Sequence, residues 1–485
     1  MKAAERDLLF TPVTDLVARV RAGDLSPVDL VEASLDAIER LNPTINAFTL
    51  VLADEARAEA RASAERLARG EAGPLEGLPM PIKDVVYVAG TPMTMGSRMM
   101  PEIPLSIDSA QVARLRSAGA VITGRTHMPE FGSTITSESV RFGTTRNPWN
   151  LEHIPGGSST GAAAAVAAGM APAAHGADGG GSLRIPAAWT GLFTMKPSRG
   201  RVSSFPEPDI LWTDVYGFIT RTVRDNALLL DCIDGFELGD LFWSSPKARP
   251  FLDECDREPG RLRVGVCLKP PIDVPVSDEC IRPVREAAEL LASLGHQVED
   301  HELDWRDDEA QALFAGVWSG MFGYIVERLI KFGCDPELLE PHNRVLWEMS
   351  KSVSAAQYLS SLGEGFQHLQ PVVDSFRTYD VVLTPVTAQP PPKVGELYEG
   401  TEDNPFALLF PNSARFVPFT SVFNLTGQPA ASWPLGWAAG GLPVGVQAVG
   451  RPGDEATLFR LSAQVEAARP WADRRPDLSA LQLTP

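Results

Sequence analysis

Cysteine is scarce in this chain of 485 residues. The five present, Cys232, Cys255, Cys267, Cys280 and Cys334, are odd in number and no two stand at C-x-x-C spacing. That argues against a zinc site and against a disulfide framework, and it makes reduced thiols in the cytoplasm the expectation. Basic residues are outnumbered, 43 Lys and Arg against 62 Asp and Glu, for a formal net charge of −19 with no basic run, so no nucleic-acid partner is expected. Long apolar runs are missing as well. The longest weakly polar stretch, Gly161 to Ala174, is too short to span a bilayer and contains Pro172. Near the N-terminus acidic residues stand where a signal peptide needs an apolar core, so neither a membrane nor a secretory segment is expected.

What is present is ordinary for a globular protein: 44% hydrophobic and 22% charged residues, over a length ample for a large core. The first seventy residues read as helix. Ser26-Pro27 supplies a cap and a first-turn proline, Leu30, Ser34, Ala37 and Leu41 share a face, and Asn42-Pro43 marks the end. A second helix is expected over Ala53 to Arg69 and a third over Ser109 to Ser117, with Gly119 beyond its end and a buried strand at Ala120 to Thr123. Short β-prone runs recur at Arg263 to Val266, Val381 to Leu383 and Val444 to Val446, which together with the helices predicts an α/β architecture. The acidic, tryptophan-bearing segment Phe236 to Phe376 has mostly helical patterning, including Asp278 to Leu294 and Asp308 to Lys331, and reads as an insert-like cover over the core.

Chemistry concentrates between Pro155 and Pro186, where Ser158 and Ser182 are each framed by glycine. Glycine permits sharp bends and leaves room for a substrate carbonyl. Gly157-Ser158-Ser159-Thr160-Gly161 satisfies G-x-S-x-G, but no apolar strand precedes it, which disfavours Ser159 as a nucleophile. Asp178-Gly179-Gly180-Gly181-Ser182 offers a run of main-chain N–H groups able to hold an oxyanion, or alternatively a plain glycine-rich turn. No histidine is placed beside Ser182 by spacing. Lys83, after the apolar run Leu78 to Ile82, would serve as a base if burial lowered its pKa; an ordinary surface lysine is the bland reading. His175 reads as a hydrogen-bonded interior histidine, and Thr145-Arg146-Asn147 as structural.

Three segments together carry a resemblance. Lys83 in GLPMPIKDVVYVAGTPMTMGS, Ser158 in GGSSTG and Ser182 in DGGGSLRIPA, with 182 − 158 = 24 residues between the serines, resemble the amidase signature family in order, context and interval. FGTTRNPWN, GLFTMKPSRGRVS and FNLTGQPAASWPLG extend the likeness over most of the chain. The resemblance implies one domain over 1–485 with a central twisted mixed sheet flanked by helices on both faces. It implies Ser182 as nucleophile, Ser158 as a bridging serine in a cis peptide, Lys83 as base, and N–H groups of Gly179, Gly180, Gly181 and Ser182 as oxyanion hole. No metal or organic cofactor is implied.

Asp178 and Arg184 are expected to pair and brace the glycine turn. Gly132 and Ser133 fall where family members place backbone along the acyl side of the substrate, and Trp318, Phe322, Phe419 and Trp433 are candidate apolar walls. Two departures stand out. Ala177 and Gly179 replace the threonines of the common GTDTGGS, and Ile185 stands where transamidating members carry glutamine, which disfavours an amidotransferase subunit. GTTRNPWN, PAAHGAD and PFTSVFNLTGQPA resemble the 6-aminohexanoate-cyclic-dimer hydrolase type, suggesting a small apolar, cyclic or aryl amide as substrate. Carbamate or anilide cleavage is the alternative, and a homodimer is compatible with the resemblance.

Overall fold

The computed structural model describes residues 8–207, 212–305 and 308–479, with 308–312 as backbone only. The first long helix, Pro27–Ile45, starts as expected: Ser26 Oγ accepts from Val28 N–H at 3.1 Å, and Leu30, Val31, Leu35, Ile38 and Leu41 face inward. It does not stop at Asn42-Pro43. Proline inside a helix removes one hydrogen bond, but Ile45 beyond it is fully buried. The helix therefore runs on to Asn46, whose φ of 57° ends it in a left-handed turn. The Asn42 side chain closes that turn by bonding both Phe48 N–H and Phe48 O. Helices Ala53–Ala68 and Ala110–Ser117 lie where their patterns placed them.

The core is one eleven-stranded mixed sheet with helices packed on it. Its strands are β1 (Phe48–Val51), β2 (Pro79–Lys83), β3 (Val121–Thr126), β6 (Ala173–Asp178), β7 (Phe193–Lys196), β8 (Val215–Thr220), β9 (Arg263–Val266), β10 (Gln297–Asp300), β11 (Val381–Pro385), β12 (Ala430–Trp437) and β13 (Pro443–Gly450), while β4 (Glu138–Ser139) and β5 (Gly143–Thr144) form a separate ribbon. The order is β1-β3-β2-β6-β8-β7-β12-β13-β11-β9-β10. Parallel pairing of β2 with β3 and β6 sets the carboxyl ends of β2 and β6 side by side, the place where open α/β sheets put their ligands. Beyond β6, β8 returns antiparallel.

The segment from Phe236 to Phe376 divides in two. Its first part contributes β9 and β10 to the sheet, with helix Asp278–Ser293 packed on β11 to β13. Its second part, helices Asp308–Lys331, Pro341–Ser350 and Ala355–Asp374, packs mainly on itself, with Asp308–Lys331 touching both of the others. That helix is apolar enough over Leu313–Lys331 to match a membrane span by length and composition, a longer apolar segment than Gly161 to Ala174. In the fold its apolar side chains pack into the protein, through Val317, Met321 and Val326, and line a cavity.

Candidate active site

Lys83 is the last residue of β2 and is 2% exposed. Its Nζ donates to Ser158 Oγ at 2.8 Å and to Ala177 O at 3.4 Å. Burial lowers its pKa to about 7, opposed by the charges of Asp214 and Asp178. The next residue, Asp84, is taken by Arg125 in a buried ion pair at 2.8 Å, so it does not neutralise the lysine. The Gly157–Ser158 peptide is cis. Gly132 lies against Ser158: a Cβ there would approach Ser158 Oγ to 2.9 Å.

Ser182 follows β6 and precedes the short helix Arg184–Thr190. Ser159 N–H donates to Ser182 O at 3.2 Å, tying the two serine loops together, and no hydrogen bond among the described residues uses the Ser182 hydroxyl. The turn before it needs glycine. Gly181 has φ 133°, and a Cβ on Gly179 would collide with Asp214 Oδ1. Asp178 and Arg184 form a fully buried bidentate pair, Nε to Oδ2 at 3.0 Å and Nη2 to Oδ1 at 2.8 Å. Burial alone would raise the Asp178 pKa, but Arg184, Lys196 and Asn424 hold the carboxyl well below its usual range. The same carboxylate accepts from Gly181 N–H at 2.7 Å and from Leu183 N–H at 3.1 Å.

The geometry thus corrects the expected donor set. Gly181 N–H is turned into Asp178 and is not available to an oxyanion, whereas the N–H groups of Gly179, Gly180 and Ser182 have no partner among the described residues. Ser159 is buried, with its Oγ donating to Ala177 O at 3.0 Å, which suits a structural serine. His175 is interior, but neither ring nitrogen has a hydrogen-bond partner among the described residues; it stacks with Tyr216, and burial lowers its pKa to about 3, leaving it neutral. Thr145, Arg146 and Asn147 all bond to backbone carbonyls, of Asn46, Leu151, and Ile154 with Trp189.

Two cavities open at this point. The smaller, about 80 Å³, is lined by Ser182, Gly180, Gly132, Ser133, Ile185 and Trp318, among others. The larger, about 350 Å³, shares Trp318 and is walled by Phe131, Phe322, Met321 and further methionines, with Asp214 in its lining. Gly132, Ser133, Trp318 and Phe322 therefore line cavities, and Phe131 meets Phe322 edge-on at 5.6 Å. Phe419 and Trp433 do not. Phe419 is fully buried in an apolar cluster behind Trp318, and Trp433 on β12 points to helix Glu455–Ala468, where its indole N–H donates to Ser462 at 2.8 Å. Asp214 was not singled out by sequence, since nothing local marks a lone aspartate ahead of a strand.

Comparison with known proteins agrees with this architecture. The amidase family model matches residues 29–459. The chain is 39% identical over 477 residues to the putative amidase AmiB2 of Mycobacterium tuberculosis, covering 98% of this chain and 99% of that protein. It is 34% identical to the 6-aminohexanoate-cyclic-dimer hydrolase of Paenarthrobacter ureafaciens, covering 97% of each. Among solved structures, 6-aminohexanoate cyclic dimer hydrolase superposes with a TM-score of 0.91 at 33% identity over 97% of this chain and 99% of that one. A bacterial aryl acylamidase of the amidase signature family does so at 0.87 and 28% identity, over 98% and 99%. The chain is an enzyme of the amide-hydrolysing class. It belongs to the amidase signature family.

Proposed function

We propose that this enzyme hydrolyses a small apolar, cyclic or aryl amide through an acyl-enzyme on Ser182, with Ser158 and Lys83 relaying the proton. The observation that carries this reading is the 2.8 Å contact between a buried Lys83 and Ser158, on a lysine whose pKa is near 7. Neutral Lys83 accepts the Ser158 proton as Ser158 takes that of Ser182, and Ser182 Oγ bonds to the carbonyl carbon. The resulting oxyanion sits on the N–H groups of Gly179, Gly180 and Ser182. When the C–N bond breaks, the proton returns by the same path to the leaving nitrogen. Water then repeats the sequence against the ester, freeing the acid and restoring Ser182.

The apolar walls around Trp318 and Phe322 support a substrate with bulky apolar parts, in keeping with the cyclic amide named for one relative and the aryl amide named for another. Five unpaired thiols fit a reducing compartment such as the cytoplasm. The test is turnover of a panel of cyclic amides, aryl amides and aryl carbamates by the wild type and by Ser182→Ala. The expected result is amide hydrolysis abolished by the substitution; turnover of no amide, or of carbamates alone, would overturn the amide reading.

A further inference from the structure

We propose that Asp214 is a recognition residue: the larger cavity takes an apolar arm of the substrate, and Asp214 receives a protonated amine carried on that arm near the scissile carbonyl. This rests on the amide-hydrolase reading of Ser182. The placement of Asp214 comes from strand register. Antiparallel β6 and β8 pair Asp178 with Val215, so the next residues along, Gly179 and Asp214, stand opposite each other. Asp214 Oδ1 accordingly occupies the space that a Cβ on Gly179 would need. A carboxylate in the wall of the apolar cavity is thereby fixed against the backbone that precedes the nucleophile.

The cavity has a second carboxylate, and the contrast is informative. Glu207 accepts from Tyr87 Oη and pairs with Arg328 at 2.8 Å, so its charge is compensated by the protein. Asp214 makes no hydrogen bond or ion pair with any described residue. Lys83 is near enough to act on it electrostatically, yet Lys83 Nζ is directed to Ser158 and Ala177 O. Burial raises the Asp214 pKa to about 6, with Lys83 opposing and Asp178 adding to the rise, so the group is ionised at neutral pH at a desolvation cost. An arriving ammonium offsets that cost and meets the charge in a poorly solvated place, where ion pairing is stronger than in water. A neutral arm of the same shape covers the half-buried carboxylate and leaves it unmatched. The cavity mouth, with Ile103, Tyr324 and Phe332 exposed, is apolar enough to admit such an arm.

The experiment uses matched anilides whose acyl chains, at three lengths, end in an ammonium or in a methyl group. For at least one length the wild type is expected to favour the ammonium in kcat/KM by about tenfold or more. In Asp214→Asn the ratio falls toward one, a readout that cancels any general loss of acylation. A wild-type ratio near one at every length, or a ratio unchanged in Asp214→Asn, overturns the proposal. Calorimetric binding of hexylammonium and hexanol to the wild type keeps it testable if the variant fails to fold: tighter ammonium binding supports it, and equal binding contradicts it. Hydrolysis of neither anilide alongside selective ammonium binding would fault the amidase reading and leave Asp214 as a cation site. Hydrolysis of both at equal rates would do the reverse.

Discussion

The two cavities meet at Trp318 and are built to opposite rules. Behind Ser182 the polar groups are locked: Lys83, Asp178 and Arg184 are each 2% exposed or less, and each is held by short hydrogen bonds. Around the larger cavity the walls are apolar side chains from helix Asp308–Lys331 and the methionine-bearing loop before helix Ala110–Ser117, and at its mouth Ile103 and Phe332 stand 66% and 76% exposed. The first region fixes atoms by backbone and buried charge, as bond-making chemistry demands. The second fixes only shape and polarity. Substitutions in the first should therefore act on kcat and folding, and substitutions in the second on KM.

The largest effect is expected from Lys83→Met, which removes the proposed base: kcat for amide hydrolysis falls roughly ten-thousandfold or more while the fold persists by circular dichroism. A decline under tenfold would break the distinction drawn between the regions. Next comes Arg184→Met. It leaves Asp178 charged, buried and without its main partner, so chemical denaturation should show a loss of about 3–5 kcal/mol together with loss of turnover.

The pH profile sharpens the same point. The proposed base Lys83 would act when neutral and its pKa is near 7, so kcat/KM is expected to rise with pH through about 7 and to be lost on acidification. The Asp214 charge raises the lysine's pKa, hence Asp214→Asn moves that limb to lower pH. The limb reports the coupled pair and not either group alone. A limb unmoved by the substitution would detach Asp214 from the lysine.

The smallest effects come from two tryptophans. Trp318→Ala should raise KM roughly tenfold, about 1.4 kcal/mol, with little change in kcat. Trp433→Phe should leave KM unchanged and cost about 1–3 kcal/mol of stability through the orphaned Ser462 hydroxyl. Reversal of this pair would exchange their assignments.

The same contrast explains what the sequence made legible. Lys83, the glycine-framed serines and the Asp178–Arg184 pair obey local rules, because a strand end, a glycine turn and a carboxylate six residues from an arginine are written in neighbouring positions. The sheet was legible through its short β-prone runs, although β3 runs three residues further than the apolar pattern, through Gly124 and the buried Arg125. The cavity walls were not legible. Phe419 and Trp433 are as aromatic as Phe322 and Trp318, and only packing decides which face a cavity. Asp214 meets Gly179 only because of the β6–β8 register, and Gly181 N–H is taken by Asp178 through the shape of the turn. Neither relation follows from residue type.

Peptide-mapping mass spectrometry after rapid quench with an aryl amide reads out which serine carries the acyl group. An acyl adduct is expected on the peptide carrying Ser182, formed by the wild type at pH 8 and absent from Ser182→Ala and Lys83→Met under the same conditions. An adduct on Ser158 or Ser159, or steady hydrolysis by Ser182→Ala at the wild-type rate, would contradict it.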